Sequence, residues 1–267
     1  MPAVATLLLA LTGQQAASPP TVPPAGYRLV WSDEFDRDGL PDPAKWSFDT
    51  HANKTGWYND ELQYYAADRL ENARVEDGRL VITARREALA DRPDHGGQAY
   101  SSARLITQGK ASWTYGFFEV RAKLPCGAGS WPAIWMLGAD KGWPDGGEID
   151  IMEQVGNAPT TVHGTIHNRG TAGTFGDGGS IDLPTACSDF HRYQLTWTPQ
   201  ALVIAVDGEP VHRYAKAGKS AAGWPFDAPQ FLLLNLAVGG AMGGKVDDAI
   251  FPIGYEVDYV RAYQRRE

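Results

Sequence analysis

The sequence predicts an all-β fold, a sandwich or barrel of antiparallel strands. Short alternating segments recur from Tyr27 onward, and thirty Gly and eighteen Pro punctuate them. No stretch offers a long, capped amphipathic helix.

Taken in order, Tyr27 to Trp31 reads as a short apolar strand. Ala73 to Thr83 reads as a hairpin, with Asp77-Gly78 at its turn. Gly116 to Leu124 alternates: Phe118, Val120, Ala122 and Leu124 on one side, Phe117, Glu119, Arg121 and Lys123 on the other. A further series runs Tyr193 to Trp197, Ala201 to Val206 and Val211 to Tyr214, with turns at Thr198-Pro199-Gln200 and Asp207-Gly208. Phe231 to Val238 is nearly continuous in its apolar character, as a strand deep in a sandwich would be. Glu256 to Tyr263 alternates again and closes the domain. One domain over residues 26–267 is expected, with no internal repeat.

Residues 1–25 stand apart. Val4 to Leu11 is apolar but too short to span a bilayer. Ala16-Ala17-Ser18 supplies small residues for cleavage, and Pro19 to Pro24 reads as a linker. The basic residue usual at the start of an export signal is missing. Export to the periplasm or beyond is the reading, against a disordered cytosolic tail. Cys126 and Cys187 lack metal-site spacing. An even count in an exported chain favours a Cys126–Cys187 bridge over two buried thiols.

Composition narrows the function. Hydrophobic residues make up 43% and charged residues 21%, enough for a packed core. The formal net charge is −8 with no basic stripe, so nucleic acid is not the expected partner. No segment is expected to cross a membrane, and a monomer is expected. Nine Trp, many beside Gly, Pro or acidic residues, suit a groove in which sugar faces stack.

The segment Gly146-Gly147-Glu148-Ile149-Asp150-Ile151-Met152-Glu153-Gln154-Val155 sets three carboxylates within six residues. Alternate side chains of a strand share a face, so Glu148 and Asp150 point together while Ile149 and Ile151 enter the core. Glu153 lies an odd number of positions from Glu148, and a regular strand would send it inward. One β-bulge near Ile151-Met152 restores the parity. Four effective strand steps then span roughly 13 Å, and inward lean of about 4 Å per side chain leaves the carboxyls roughly 5 Å apart. That spacing suits retaining glycoside hydrolysis. Three such charges cannot all ionise cheaply, so one carboxyl should keep its proton near neutrality. The plain alternative is an acidic solvent edge, which needs no bulge.

Gly129-Ser130-Trp131-Pro132-Ala133-Ile134-Trp135-Met136-Leu137, then Trp143-Pro144 and Glu148 to Glu153, resembles family 16 glycoside hydrolases of the laminarinase type. Asn59 to Tyr65, Ser102 to Leu105, Val162 to His167, Asn235 to Gly240 and Val257 to Arg261 resemble the same family in the same order. The likeness runs from about Tyr27 to Tyr263. It implies a concanavalin-like jelly roll, two curved antiparallel sheets with a cleft on the concave face. It also implies a retaining endo-β-glucanase acting on β-1,3-glucan or mixed β-1,3/1,4-glucan. Transglycosylation, or hydrolysis of agar- or carrageenan-type galactans, remains open on the same site. A catalytically silent glucan-binding module is the rival of another class.

By that resemblance Glu148 is the nucleophile, Glu153 the acid/base, and Asp150 the residue that orients and tunes the pair. Trp131 and Trp135 read as stacking platforms, Trp131 more strongly. Asn59 matches a residue that binds sugar, although by composition it reads as a turn residue. Arg104 matches a cleft arginine that keeps the nucleophile ionised. His167 reads as a polar cleft contact beside the acid/base, and His163 as structural. Asn168 stands where the family often has an aromatic, and Ala241-Met242 where it often has Asn-Trp. No cofactor is required. A structural calcium on Glu34, the Gly78 carbonyl and Asp258 matches the family, but hairpin and surface acids account for Glu34 and Asp258 equally well.

Overall fold

A computed structural model describes residues 23–266. The export reading falls on residues outside that range, apart from the end of the linker.

In chain order the first strands are β1 (Tyr27–Asp33), β2 (Ser47–Phe48), β3 (Gln63–Tyr65), β4 (Ala73–Glu76), β5 (Arg79–Ala84) and β6 (Tyr100–Ser102). Next come β7 (Arg104–Ile106), β8 (Gly116–Lys123), β9 (Ser130–Gly138), β10 (Glu148–Gln154), β11 (Thr161–His167) and β12 (Asp177–Asp182). The last are β13 (His191–Trp197), β14 (Ala201–Val206), β15 (Glu209–Ala215), β16 (Gln230–Val238) and β17 (Ile253–Arg265). Helix is confined to single turns, and among the described residues none is long and apolar enough to cross a membrane.

Two antiparallel sheets form the sandwich. One runs β15-β14-β13-β8-β17-β5-β4, with β1 on β17; the other runs β12-β11-β10-β9-β16-β7-β2. Their inner faces share one apolar core, in which Ile134, Ile149, Ile166, Leu234 and Leu236 of the second sheet meet Phe118, Leu195, Ile204 and Val260 of the first. All of β16 is buried, as its unbroken apolar run predicts, because β9 and β7 flank it and both its faces are covered. The Asp77-Gly78 turn has positive φ at both residues, 51° and 70°, which matches the right-handed twist of the β4–β5 hairpin.

One strand departs from its pattern. Glu119 of β8 falls on the more polar side of the alternation yet is 1% exposed. Gln194 Nε2 and Tyr259 OH donate to its carboxylate at 2.6 and 2.7 Å, so neighbouring strands satisfy it away from water. Cys126 and Cys187 form a disulfide, their Cα atoms 5.7 Å apart.

Candidate active site

The site is built on β10. Between Asp150 and Glu153 this strand advances three residues while β11 advances two, from Thr165 to His163. Against β9 the extra residue falls between Asp150 and Met152. That is a bulge, and it lets the consecutive Ile151 and Met152 both enter the core, at 1% and 0% exposure. Truncating either to Ala would cost about 2–5 kcal/mol, so the core fixes the bulge. With parity reset, Glu148, Asp150 and Glu153 share the face turned away from the core. Gly147 (φ 74°) precedes them, and a β-carbon there would lie 2.6 Å from Phe226 Cε1 and Pro225 Cγ; only glycine lets the strand start here.

The carboxylates are unequal. Asp150 is 3% exposed, while both glutamates keep some contact with solvent. Burial, then the charges of Glu148 and Glu153, push Asp150 well above the usual carboxylate range. Their mutual interaction raises Asp150 and lowers Glu148. Burial raises both glutamates to about 7. The further influences diverge. Trp143, the Arg104 charge and Asp150 favour the ionised form of Glu148. At Glu153 the charges of Glu148 and Glu61 favour the protonated form, opposed by the Trp131 hydrogen bond.

The surroundings explain this difference. Arg104, on β7, is 6% exposed; its Nε lies 2.9 Å from Asp49 Oδ2, and its guanidinium lies 5.1 Å from the Trp57 ring and 4.7 Å from that of Trp135. Trp135 Nε1 donates to Asn235 Oδ1 at 2.7 Å, and Asn235 Nδ2 donates to Tyr65 OH at 3.0 Å. Trp131 Nε1 donates to Glu153 Oε1 at 3.0 Å. Trp131 is only 7% exposed and packs on Val155 and Ala237, so it holds Glu153 rather than offering an open platform. Trp135 is the more exposed of the two, the reverse of the expected order.

The histidines also exchange places. Antiparallel pairing sets His167 opposite Glu148 and His163 opposite Glu153. His167 Nε2 lies 3.5 Å from Asp150 Oδ2, so it sits at the Glu148 end and not beside Glu153. Burial lowers the pKa of both rings. Asn59 is exposed, with left-handed backbone (φ 57°), and its side chain favours the ionised form of Glu61. Asn168 is fully buried and donates to Tyr214 OH at 2.9 Å, so it supports the loop after β11 instead of facing the cleft.

Three site residues escaped the sequence reading: Glu61, Asp49 and, as a donor to Glu148, Trp143. Asp49 and Glu61 lie on loops whose approach to β10 only the fold determines. Trp143 had a signal, its place between two Gly-rich turns just before the carboxylates.

The expected calcium ligands are already engaged. Arg261 donates to both oxygens of Glu34 at 2.9 and 2.7 Å, and Arg121 donates to Asp258 at 2.7 Å. Among the described residues no group of three His, Cys, Asp or Glu is arranged to hold a metal ion. As the side chains stand, the set does not fit a cation.

The model of Glycosyl hydrolases family 16 matches residues 59–261. The chain belongs to that family. A beta-glucanase of Rhodothermus marinus is 50% identical over 252 residues, spanning 89% of this chain and 85% of its own. A glucan endo-1,3-beta-glucosidase of Cryptopygus antarcticus is 40% identical over 259 residues, spanning 88% and 91%. Among solved structures, a non-specific endo-beta-1,3(4)-glucanase of the same family has a TM-score of 0.89 at 53% identity, over 93% of this chain and 95% of that one. A mutant of it holds a 1,3-beta-D-cellobiosyl-glucose at its active site. The family 16 hydrolase described here is thus an enzyme of the glycoside hydrolase class, with a jelly-roll fold.

Proposed function

We propose that this family 16 hydrolase is a retaining endo-β-glucanase cleaving β-1,3-glucan or mixed β-1,3/1,4-glucan. Glu148 attacks the anomeric carbon while Glu153 protonates the leaving oxygen. Glu153 then takes a proton from water, which releases the covalent glycosyl-enzyme. Asp150, whose own ionisation burial and both glutamate charges oppose, orients and tunes the pair.

The observation that carries this reading is the bulge. It sets both glutamates on one face and leaves them in opposed electrostatic surroundings, one favouring an anion and the other an acid. The relatives named above support β-glucan as the substrate class.

Laminarin and lichenan, assayed for new reducing ends with proton NMR of the first product, test it. The expected result is internal cleavage with the β-anomer formed first, and loss of cleavage in Glu148→Gln. An α-anomer formed first would exclude double displacement; binding without cleavage would make the chain a glucan-binding module.

The reading needs no cofactor. Calcium on Glu34, Gly78 and Asp258 would have to displace Arg261 and Arg121. The expected outcome is a melting temperature that 1 mM-range calcium leaves unchanged after EDTA treatment, checked by calorimetry. Export is part of the proposal, supported by the Cys126–Cys187 disulfide. Protein recovered outside the cytoplasm with its N-terminus beyond Ala17 would agree with it; retention in the cytosol would not.

A further inference from the structure

We propose that Glu61 is a positioning residue for Glu153, a fourth carboxylate whose negative charge faces the acid/base from across the Trp131 ring. The inference rests on the acid/base role assigned to Glu153 and adds what keeps that group in its working state.

Glu61 is placed by long-range contacts. Its backbone bridges Gly239 at the end of β16, and Leu62 N donates to Val238 O at 2.9 Å. Next to that bridge, Gly240 has left-handed backbone (φ 74°). A β-carbon on it would lie 3.2 Å from Glu61 Cγ and 3.3 Å from Trp131 Cζ3. Glu61 and Trp131 therefore meet across a bare α-carbon, and the far side of Trp131 donates to Glu153 at 3.0 Å.

The carboxylate is held in place. Gln63 Nε2 donates to Glu61 Oε2 at 2.8 Å and Tyr65 OH approaches the same oxygen at 3.4 Å. Gln63 is itself fixed, its Oε1 accepting from Val238 N at 2.8 Å. Tyr65 OH accepts from Asn235, which accepts from Trp135. One hydrogen-bonded chain thus joins Glu61 to the aromatic floor of the site. Burial is the largest influence on Glu61 and holds its pKa above the usual carboxylate value, while Gln63, the Arg104 charge, Tyr65 and Asn59 work against it. Where Glu61 is ionised, its charge makes loss of the Glu153 proton harder.

The groups that face Glu153 are Glu148 and Asp150 on its own strand, His163 on β11, Trp131 on β9 and Glu61. Arg104 and Tyr65 face Glu61. Only the Glu61 charge is removed by Glu61→Gln, which keeps an acceptor for Gln63 and Tyr65.

The test is the pH profile of kcat/KM on laminarin. Its basic limb reports the acid/base of the free enzyme. Glu61→Gln should move that limb to lower pH by about half a unit, since one repelling charge is lost across the width of the Trp131 ring. Glu61→Ala should move it the same way, and Glu61→Asp should restore it. A limb unmoved in a folded Glu61→Gln protein overturns the proposal, as does a lower kcat with an unchanged limb, since a purely structural role would do that. Glu153→Gln separates the two claims. If that variant stays active, the acid/base assignment fails; if it is inactive while Glu61→Gln leaves the limb in place, only the role of Glu61 fails.

Discussion

The two ends of β10 carry the same side chain and surround it differently. At the Glu148 end stand the Arg104 guanidinium, the Trp143 indole and Asp150, all of which favour the anion. At the Glu153 end, the charges of Glu148 and Glu61 favour the acid form, and the Trp131 donor opposes them. Burial raises both groups alike, so it cannot separate their roles. The division of labour between nucleophile and acid comes from neighbours on other strands and loops, and β10 alone would supply two equivalent glutamates.

The strongest way to break this comparison is to delete each glutamate in turn. Glu148→Ala should abolish turnover of every β-glucoside, and azide should rescue it with an α-glycosyl azide. Glu153→Ala should lose about 10²–10⁴-fold on laminarin, where the leaving group needs a proton. It should keep most of its first step on an aryl glucoside with an acidic leaving group, and azide should yield the β-glycosyl azide. Product analysis checks this; the same anomer from both variants would mean the roles do not divide.

The same pair predicts a stability effect. Both folded-state pKa values are raised, so the native state binds more protons than the unfolded chain between about pH 4.5 and 7. Stability must fall as pH rises through that window and stay reduced above it. Glu148→Gln and Glu153→Gln remove an ionisation that burial opposes. Their melting temperatures should exceed wild type at pH 8, with the gap shrinking toward pH 5. Equal melting curves at both pH values would show that the buried charges cost nothing.

Arg104 sharpens the contrast from the other side. Arg104→Met in an Asp49→Asn background removes the positive charge without leaving Asp49 unpaired. The acid limb of kcat/KM, which reports ionisation of the nucleophile, should move upward by about one pH unit. The basic limb should move much less. Equal movement of both limbs would mean that Arg104 does not distinguish the two ends.

How far the sequence reveals this site depends on which contacts are local. The bulge is legible because E-x-D-x-x-E cannot place both glutamates on one face without it, and Ile151 and Met152 have only the core to enter. Register between strands is not legible. His163 and His167 sit four apart on β11, and nothing in their own segment states which one meets Glu153. Loop approach is less legible still: Glu61 reaches Trp131 only because Gly240, about 180 positions later, presents no side chain between them. Glu119 looks like a surface residue because its satisfying partners, Gln194 and Tyr259, lie on other strands.

The last test isolates one hydrogen bond. Trp131 Nε1 stabilises the anionic form of Glu153, the opposite sense to Glu61. Trp131→Phe keeps a ring against Val155 and Ala237 and removes the donor. A hydrogen bond to a charged group is worth about 1.5–3 kcal/mol, which corresponds to a rise of roughly one to two pH units when it is lost. Partial solvent contact places the expected shift at the lower end. The basic limb should therefore move to higher pH in Trp131→Phe and to lower pH in Glu61→Gln. The double variant should return it toward wild type, since the two influences act on one proton through separate atoms. Shifts of the same sign would show that repacking around Trp131, and not the charge balance at Glu153, governs the limb.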